Sequence, residues 1–138
     1  MLHTLYIGLG SNLGDRQSHI LEALRIVGLT IGPVEAVSTL MESEPWGFQS
    51  QNRFLNAAAR IRTSLSPLQC LRQTQHIEHM MGRRGKSIQA TYHDRPIDID
   101  LLHYDKLELH TPELTLPHPL IAQREFVRIP LSEVQGSD

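Results

Sequence analysis

The stretch RPIDIDLL, from Arg95 to Leu102, constrains the chain more than any other. Apolar and polar residues alternate there with the period of a half-buried strand. Both polar positions are Asp, a residue depleted in strands. Successive strand side chains point to opposite faces, so Ile97, Ile99 and Leu101 share one face while Asp98 and Asp100 share the other. Strand rise then holds the two carboxylates roughly 7 Å apart. A water-facing antiparallel sheet alternates in this way, but like charges side by side repel, and a solvated face more often mixes signs. A divalent cation removes the repulsion. Mg²⁺ takes hard oxygen ligands, commonly one or two carboxylates together with substrate phosphates. On the residues alone the pair is either a solvated sheet face or a metal–nucleotide site for phosphoryl transfer.

What precedes the pair bears on that choice. Residues 82–94, GRRGKSIQATYHD, carry no clear periodicity and read as a long loop. GRRGKS imitates a phosphate-binding P-loop, yet that motif needs four residues between its glycines and a place between strand and helix. Here two residues separate them and the segment follows a helix, so the P-loop is rejected. A cluster of cations remains, Arg83, Arg84, Lys86 and Arg95, flanking the acidic strand. Charge runs are usually solvated, whereas structureless loops of this length are uncommon unless functional or disordered. The expectation is a lid that closes over a polyphosphate, which would give these cations a common counter-charge.

Around this centre the chain divides into short elements. Leu2 to Leu9 reads as a strand with Leu5, Ile7 and Leu9 on one face. GSNLGD supplies a turn and a capping group for a helix whose Ile20, Leu21, Leu24 and Val27 keep helical spacing, with Gly28 as its expected end. Pro33 opens a β-leaning segment to about Leu40, and EPWGFQSQN is a Gly/Pro-marked loop before a third strand in RFLNAAARIRTSL. Ser66 is a good N-cap with Pro67 at the first helical position, and the helix should run to Met81, where Gly82 stops it. The Asp strand follows, then an expected hairpin around Tyr104-Asp105-Lys106, and then the proline-bearing LTLPHPLIAQREFVRIPL. The order β-α-β-β-α-β is the split βαβ arrangement of an α+β, ferredoxin-like antiparallel sheet, here with a C-terminal extension. One domain over residues 1–138 is expected.

Composition enters as an exclusion. Net charge is −2 and the sequence pI is about 6.4, so no basic field argues for nucleic acid or an anionic membrane. Aromatics make up 5% of the chain, too few for the exposed strand aromatics of a nucleic-acid-binding sheet. One cysteine, Cys70, excludes an internal disulfide and suits a reducing compartment. The first residues are too short an apolar stretch, with no charged leader, for a signal peptide or a span. A cytoplasmic monomer acting on small molecules is expected.

Other residues stay open on their own. His76 and His79 lie three apart but lack a third ligand in register, which leaves them as surface residues. Glu78 points a different way around the helix and reads as exposed. Trp46 is either a packing anchor or the wall of a flat pocket. By residue type, Phe54 and Phe126 belong in a core, and Cys70, among Leu68 and Leu71, is inert core.

Four blocks taken together resemble the 6-hydroxymethyl-7,8-dihydropterin pyrophosphokinase family, ATP-dependent enzymes of folate biosynthesis: YIGLGSNLGDR, EPWGFQSQNRFLNAA, QHIEHMMGRR through RPIDIDLL, and LTLPHPLIAQREF. They occur in the family's order and spacing over nearly the whole chain. The resemblance implies that Asp98 and Asp100 hold a pair of Mg²⁺ ions bridging the phosphates of ATP. It also implies that Arg83 and Arg95 close over the triphosphate. Gln75, His118 and Arg124 match nucleotide-side residues, with Leu101 and Thr115 near adenine and ribose. Phe54 and Phe126 match the aromatics that sandwich the pterin, Asn56 the amide that reads its edge, and Ser43, Pro45 and Trp46 the loop that lines its pocket. Glu78 matches an acidic family residue with a supporting part. The chain departs from the family at Tyr92-His93-Asp94, where many members have Trp-Gly-Pro, and the loop is slightly extended. A rival of another class is a pterin-binding module without turnover, which retention of every polar residue of the pattern disfavours.

Overall fold

The computed structural model describes residues 1–44, 52–82 and 96–135. The elements are β1 (His3–Ser11), α1 (Arg16–Thr30), β2 (Val34–Val37), β3 (Met41–Ser43), β4 (Phe54–Thr63), α2 (Pro67–Met80), β5 (Asp98–Tyr104), β6 (Leu109–His110), β7 (Thr115–Leu116), a 3₁₀ turn at Ile121–Gln123, and α3 (Glu125–Gln135). The main sheet runs β2-β4-β1-β5, with β3 also paired to β4, and its pairings are antiparallel. This is the α+β, ferredoxin-like sheet expected from the element order.

β1 lies at the centre because it is apolar on the face it must bury. Leu5, Ile7 and Leu9 join Ala57, Ala59 and Ile61 of β4 and Ile99 and Leu101 of β5 beneath the two helices. α1 contributes Ile20, Ala23, Leu24 and Val27, and α2 contributes Cys70 and Ile77. The cysteine is fully buried, as its apolar setting suggested. Asp15 caps α1 by accepting from the Ser18 N–H. Ser66 and Gln69 form a reciprocal capping box on α2, with Pro67 beside them.

Two expectations are corrected, and two elements appear for which the sequence raised no expectation. Gly28 does not end α1, which continues to Thr30. The Val27 carbonyl instead receives the N–H groups of Ile31 and Gly32, and a Cβ at Gly32 would collide with the Arg62 carbonyl of β4. β3 is a separate short strand that the sequence pattern did not announce. The turn at Asp105 exists, with φ 50° and a Leu107 N–H to Tyr104 carbonyl bond, but it makes no hairpin. β6 pairs with β7 rather than with β5, while the Leu102 carbonyl of β5 accepts the His118 N–H and the end of β5 is tied to β1 by the Asp105 N–H to Thr4 carbonyl bond. Finally, the proline-rich tail holds α3, with Pro130 inside it. Val127, Leu131 and Val134 recur at helical spacing and pack, with Ala58 and Leu102, on the sheet face opposite α1 and α2.

A bulge in β5 settles which residue closes the core. The register against β1 shifts between Tyr6 and Ile7, so Leu101 lies opposite Ile7 and His103 opposite Tyr6. One extra residue inverts the alternation. Tyr104 therefore reaches the core, where its hydroxyl donates to the Leu65 carbonyl, and His103 meets the Tyr6 ring edge-on across the other face.

Candidate functional site

α3 covers only part of its sheet face, and beside it lies a cleft of about 450 Å³. Its floor comes from strand register. Gly10 of β1 lies opposite Asn56 of β4 on one side and Asp98 of β5 on the other. Gly8 lies opposite Ala58 and Asp100 in the same way. Strands sit about 5 Å apart, so Asn56 and Asp98 are separated by about 10 Å of floor that carries no side chain. A methyl on Gly10 would stand 3.3 Å from both Asn56 Oδ1 and Phe54 Cδ1. Glycine inside a strand marks close approach of a ligand or another chain segment. Sequence reasoning passed over both glycines, although that signal was present in YIGLGSN.

The β4 side sets a buried amide beside aromatic rings. Asn56, 5% exposed, donates its side-chain amide to the Met41 carbonyl at 2.9 Å and to Ser43 Oγ at 2.8 Å. Both amide hydrogens are committed to β3, so the group offered to a ligand is the acceptor Oδ1. Phe54 and Phe126 both line the cleft, as does Ser43. Arg124 stands 5.7 Å from the Phe126 ring centroid, which makes a cation–π pair at the start of α3.

The β5 side is acidic. Asp98 and Asp100 are half-buried and both line the cleft, while Ile99 and Leu101 point into the core. Among the described residues no group of three His, Cys, Asp or Glu side chains could hold a metal, so no closed protein cage surrounds the pair. Two hard carboxylates opening on a cleft fit a cation that takes its other ligands from substrate phosphate and water.

His118 completes this wall. Its Nδ1 accepts the Leu120 N–H at 3.2 Å, so the neutral ring carries its proton on Nε2. Burial, helped by the Arg124 charge, holds the ring below the ordinary histidine range, and the Asp98 charge works the other way. Gln75 and Glu78 reach the cleft from α2. Glu78 is not simply exposed, because its Oε2 accepts the backbone N–H of Ile99 at 2.7 Å.

The cleft thus brings together Asp98, Asp100, Gln75, His118, Arg124, Ser43, Phe54, Asn56 and Phe126. It does not bring in the Leu101 side chain, which is 3% exposed in the core, or Thr115, which sits in β7 paired with His110. Pro45, Trp46, Arg83 and Arg95, and with them the expected lid over 83–94, lie outside the described residues.

Residues 6–136 match the family model for 7,8-dihydro-6-hydroxymethylpterin-pyrophosphokinase. A 2-amino-4-hydroxy-6-hydroxymethyldihydropteridine pyrophosphokinase of Porphyromonas gingivalis is 50% identical over 131 residues, covering 94% of this chain and 89% of the relative. A protein of the same name from Aquifex aeolicus is 39% identical, covering 96% and 80%. Among solved structures, an HPPK-DHPS in complex with substrates has a TM-score of 0.73 at 15% identity. It covers 97% of this chain and 40% of the solved one, and the likeness concerns the fold.

Proposed function

The chain belongs to the 7,8-dihydro-6-hydroxymethylpterin-pyrophosphokinase family, and from that premise we propose that it transfers pyrophosphate from ATP to the hydroxymethyl group of 6-hydroxymethyl-7,8-dihydropterin in folate biosynthesis. The pterin alcohol oxygen bonds to the β-phosphorus, the bond from that phosphorus to the α,β-bridging oxygen breaks, and AMP leaves. The alcohol proton is released to solvent or phosphate.

One observation carries this reading. In a cleft lined by Phe54 and Phe126, an acceptor amide and a carboxylate pair flank a glycine floor, on three adjacent strands. The pterin would lie on the β4 side, between Phe54 and Phe126 with its N–H edge on Asn56 Oδ1, beside Ser43, Pro45 and Trp46. ATP would lie on the β5 side. Asp98 and Asp100 would hold Mg²⁺, expected as two ions, and the chemistry a bound cation supplies there is neutralisation of phosphate charge and alignment of the polyphosphate. His118 donates its Nε2–H to a phosphate oxygen, and Gln75 and Arg124 add donors on the same side. Arg83 and Arg95 would close over the triphosphate, with Leu101 and Thr115 toward adenine and ribose. Positioning and charge neutralisation supply most of the acceleration, so no general base is assigned. We further propose a single domain acting as a cytoplasmic monomer. The one cysteine is buried, and among the described residues no helix is long and apolar enough to cross a membrane.

The test is to incubate the protein with MgATP and the reduced pterin alcohol and to separate the nucleotides. AMP formed in step with a pterin pyrophosphate supports pyrophosphoryl transfer. ADP, or unchanged ATP with the pterin bound, overturns it.

A further inference from the structure

Among the described residues β5 is the edge strand of the main sheet, and its inner side is hydrogen-bonded to β1. An edge strand presents outward N–H groups that need partners. The outward N–H of Ile99 belongs to the peptide that joins Asp98 to Ile99, between the two carboxylates of the cleft. Glu78 Oε2 accepts it at 2.7 Å, across 21 residues of sequence. A carboxylate that accepts a backbone N–H makes a charge-assisted bond, roughly twice as strong as a neutral one.

A glutamate is otherwise ill placed here. Glu78 lies in the last turn of α2, where the helix dipole disfavours a negative charge. It also brings a third carboxylate toward a strand that already carries two. Both costs are local, and the bond to Ile99 offsets them. The plane of that peptide sets the direction in which Asp98 leaves the strand, and therefore its spacing from Asp100. Mg²⁺ demands near-ideal geometry at about 2.0–2.1 Å from each oxygen, so a small rotation of this peptide matters.

We infer that Glu78 is a positioning residue: it clamps the edge-strand peptide between Asp98 and Asp100, locks α2 to β5, and sets the spacing of the two carboxylates for the cation. The inference rests on the proposed reading of the acidic pair as the cation site.

The test compares the full chain with Glu78→Ala and Glu78→Gln. Amide exchange at Ile99, measured without ligands, should be slow in the wild type and in Glu78→Gln, whose amide oxygen also accepts, and fast in Glu78→Ala. Calorimetry of Mg²⁺ and ATP binding should show a loss in Glu78→Ala of about ten- to a hundredfold, the range for residues that orient metal ligands. Pterin affinity should be unchanged, and Glu78→Gln should recover most of the loss. The Mg²⁺ concentration giving half-maximal AMP release should rise in parallel. Two outcomes overturn the inference. In one, Glu78→Ala melts lower but binds Mg²⁺ and ATP as the wild type does. In the other, Glu78→Gln keeps Ile99 protected yet is as impaired as alanine, which would assign the effect to charge. Absence of AMP from the wild type would overturn the function reading instead, and the exchange and calorimetry would still decide the part of Glu78.

Discussion

Replacing Asn56 separates what its side chain does for the fold from what it does for a ligand. In the structure its amide nitrogen holds β3 through the Met41 carbonyl and Ser43 Oγ, while Oδ1 looks over the Gly10 floor. Asn56→Ala removes two hydrogen bonds, each contributing about 1 kcal/mol net, so the domain should lose roughly 2 kcal/mol. For a chain of this size that is a fall in Tm of about 8 °C. On the proposed reading it also removes the acceptor for the pterin edge, and one such bond is again about 1–2 kcal/mol, or roughly five- to thirtyfold in Kd. Asn56→Asp discriminates between the two parts. It keeps an acceptor facing the ligand but sets a carboxylate against the Met41 carbonyl. It should therefore melt at least as low as the alanine variant while binding pterin better. Thermal unfolding, and calorimetry with pterin and with ATP, measured on both variants, check these expectations. Equal losses of pterin and ATP affinity in Asn56→Ala, or the same pterin affinity in both variants, would refute the division of labour drawn here.

Asp98→Asn and Asp100→Asn should each abolish most Mg²⁺-dependent AMP release while shifting Tm little, since half-buried positions at a cleft carry little packing; steady-state rates and melting curves check this. Gly10→Ala places a methyl 3.3 Å from Asn56 Oδ1 and Phe54, so KM for the pterin should rise with KM for ATP unchanged. Burial lowers the pKa of His103 and of His118, so the unfolded chain binds protons that the folded chain refuses. Their contribution to stability is present above the ordinary histidine value near 6.5 and is lost as pH falls through the folded values. Melting temperature should decline below about pH 6.5, and His103→Phe should flatten that decline.

Where periodicity is clean and caps are local, the fold was legible. The Asp15 and Ser66 caps, the three apolar residues of β1 and the Ile97-Ile99-Leu101 face follow from spacing and side-chain chemistry alone. α3 was hidden because a proline forbids the Phe126 carbonyl its helical partner. Tertiary packing of Leu131 and Val134 outweighs that penalty, and no local rule contains it. The hairpin expected after Tyr104 failed for a similar reason: β6 finds its partner in β7, and the Leu102 carbonyl of β5 accepts the N–H of His118, which no local pattern announces. At the site, the carboxylate pair announced itself through a broken rule of strand composition. Glu78 could not be found that way, since its partner is a backbone N–H whose outward direction depends on β5 being the edge.

The two faces of one sheet explain why the cleft sits where it does. Toward α1 and α2, β1, β4 and β5 offer Leu5, Ile7, Leu9, Ile61, Ile99 and Leu101, and all of them are buried. Toward α3, the offering changes along the strands. Near Tyr6, Ala58 and Leu102 the surface is apolar, and Leu131 and Val134 cover it. Two to four residues further along, Gly8, Gly10, Asn56, Asp98 and Asp100 give a helix nothing to pack against. Burying two carboxylates under an apolar helix would be prohibitive. α3 therefore begins at Glu125, short of them, and leaves Arg124 and Phe126 overhanging the gap. The acidic pair and the glycines thus do two things at once. On the proposed reading they furnish the groups for a polyphosphate and its cation, and in the fold they keep the covering helix from filling the cleft.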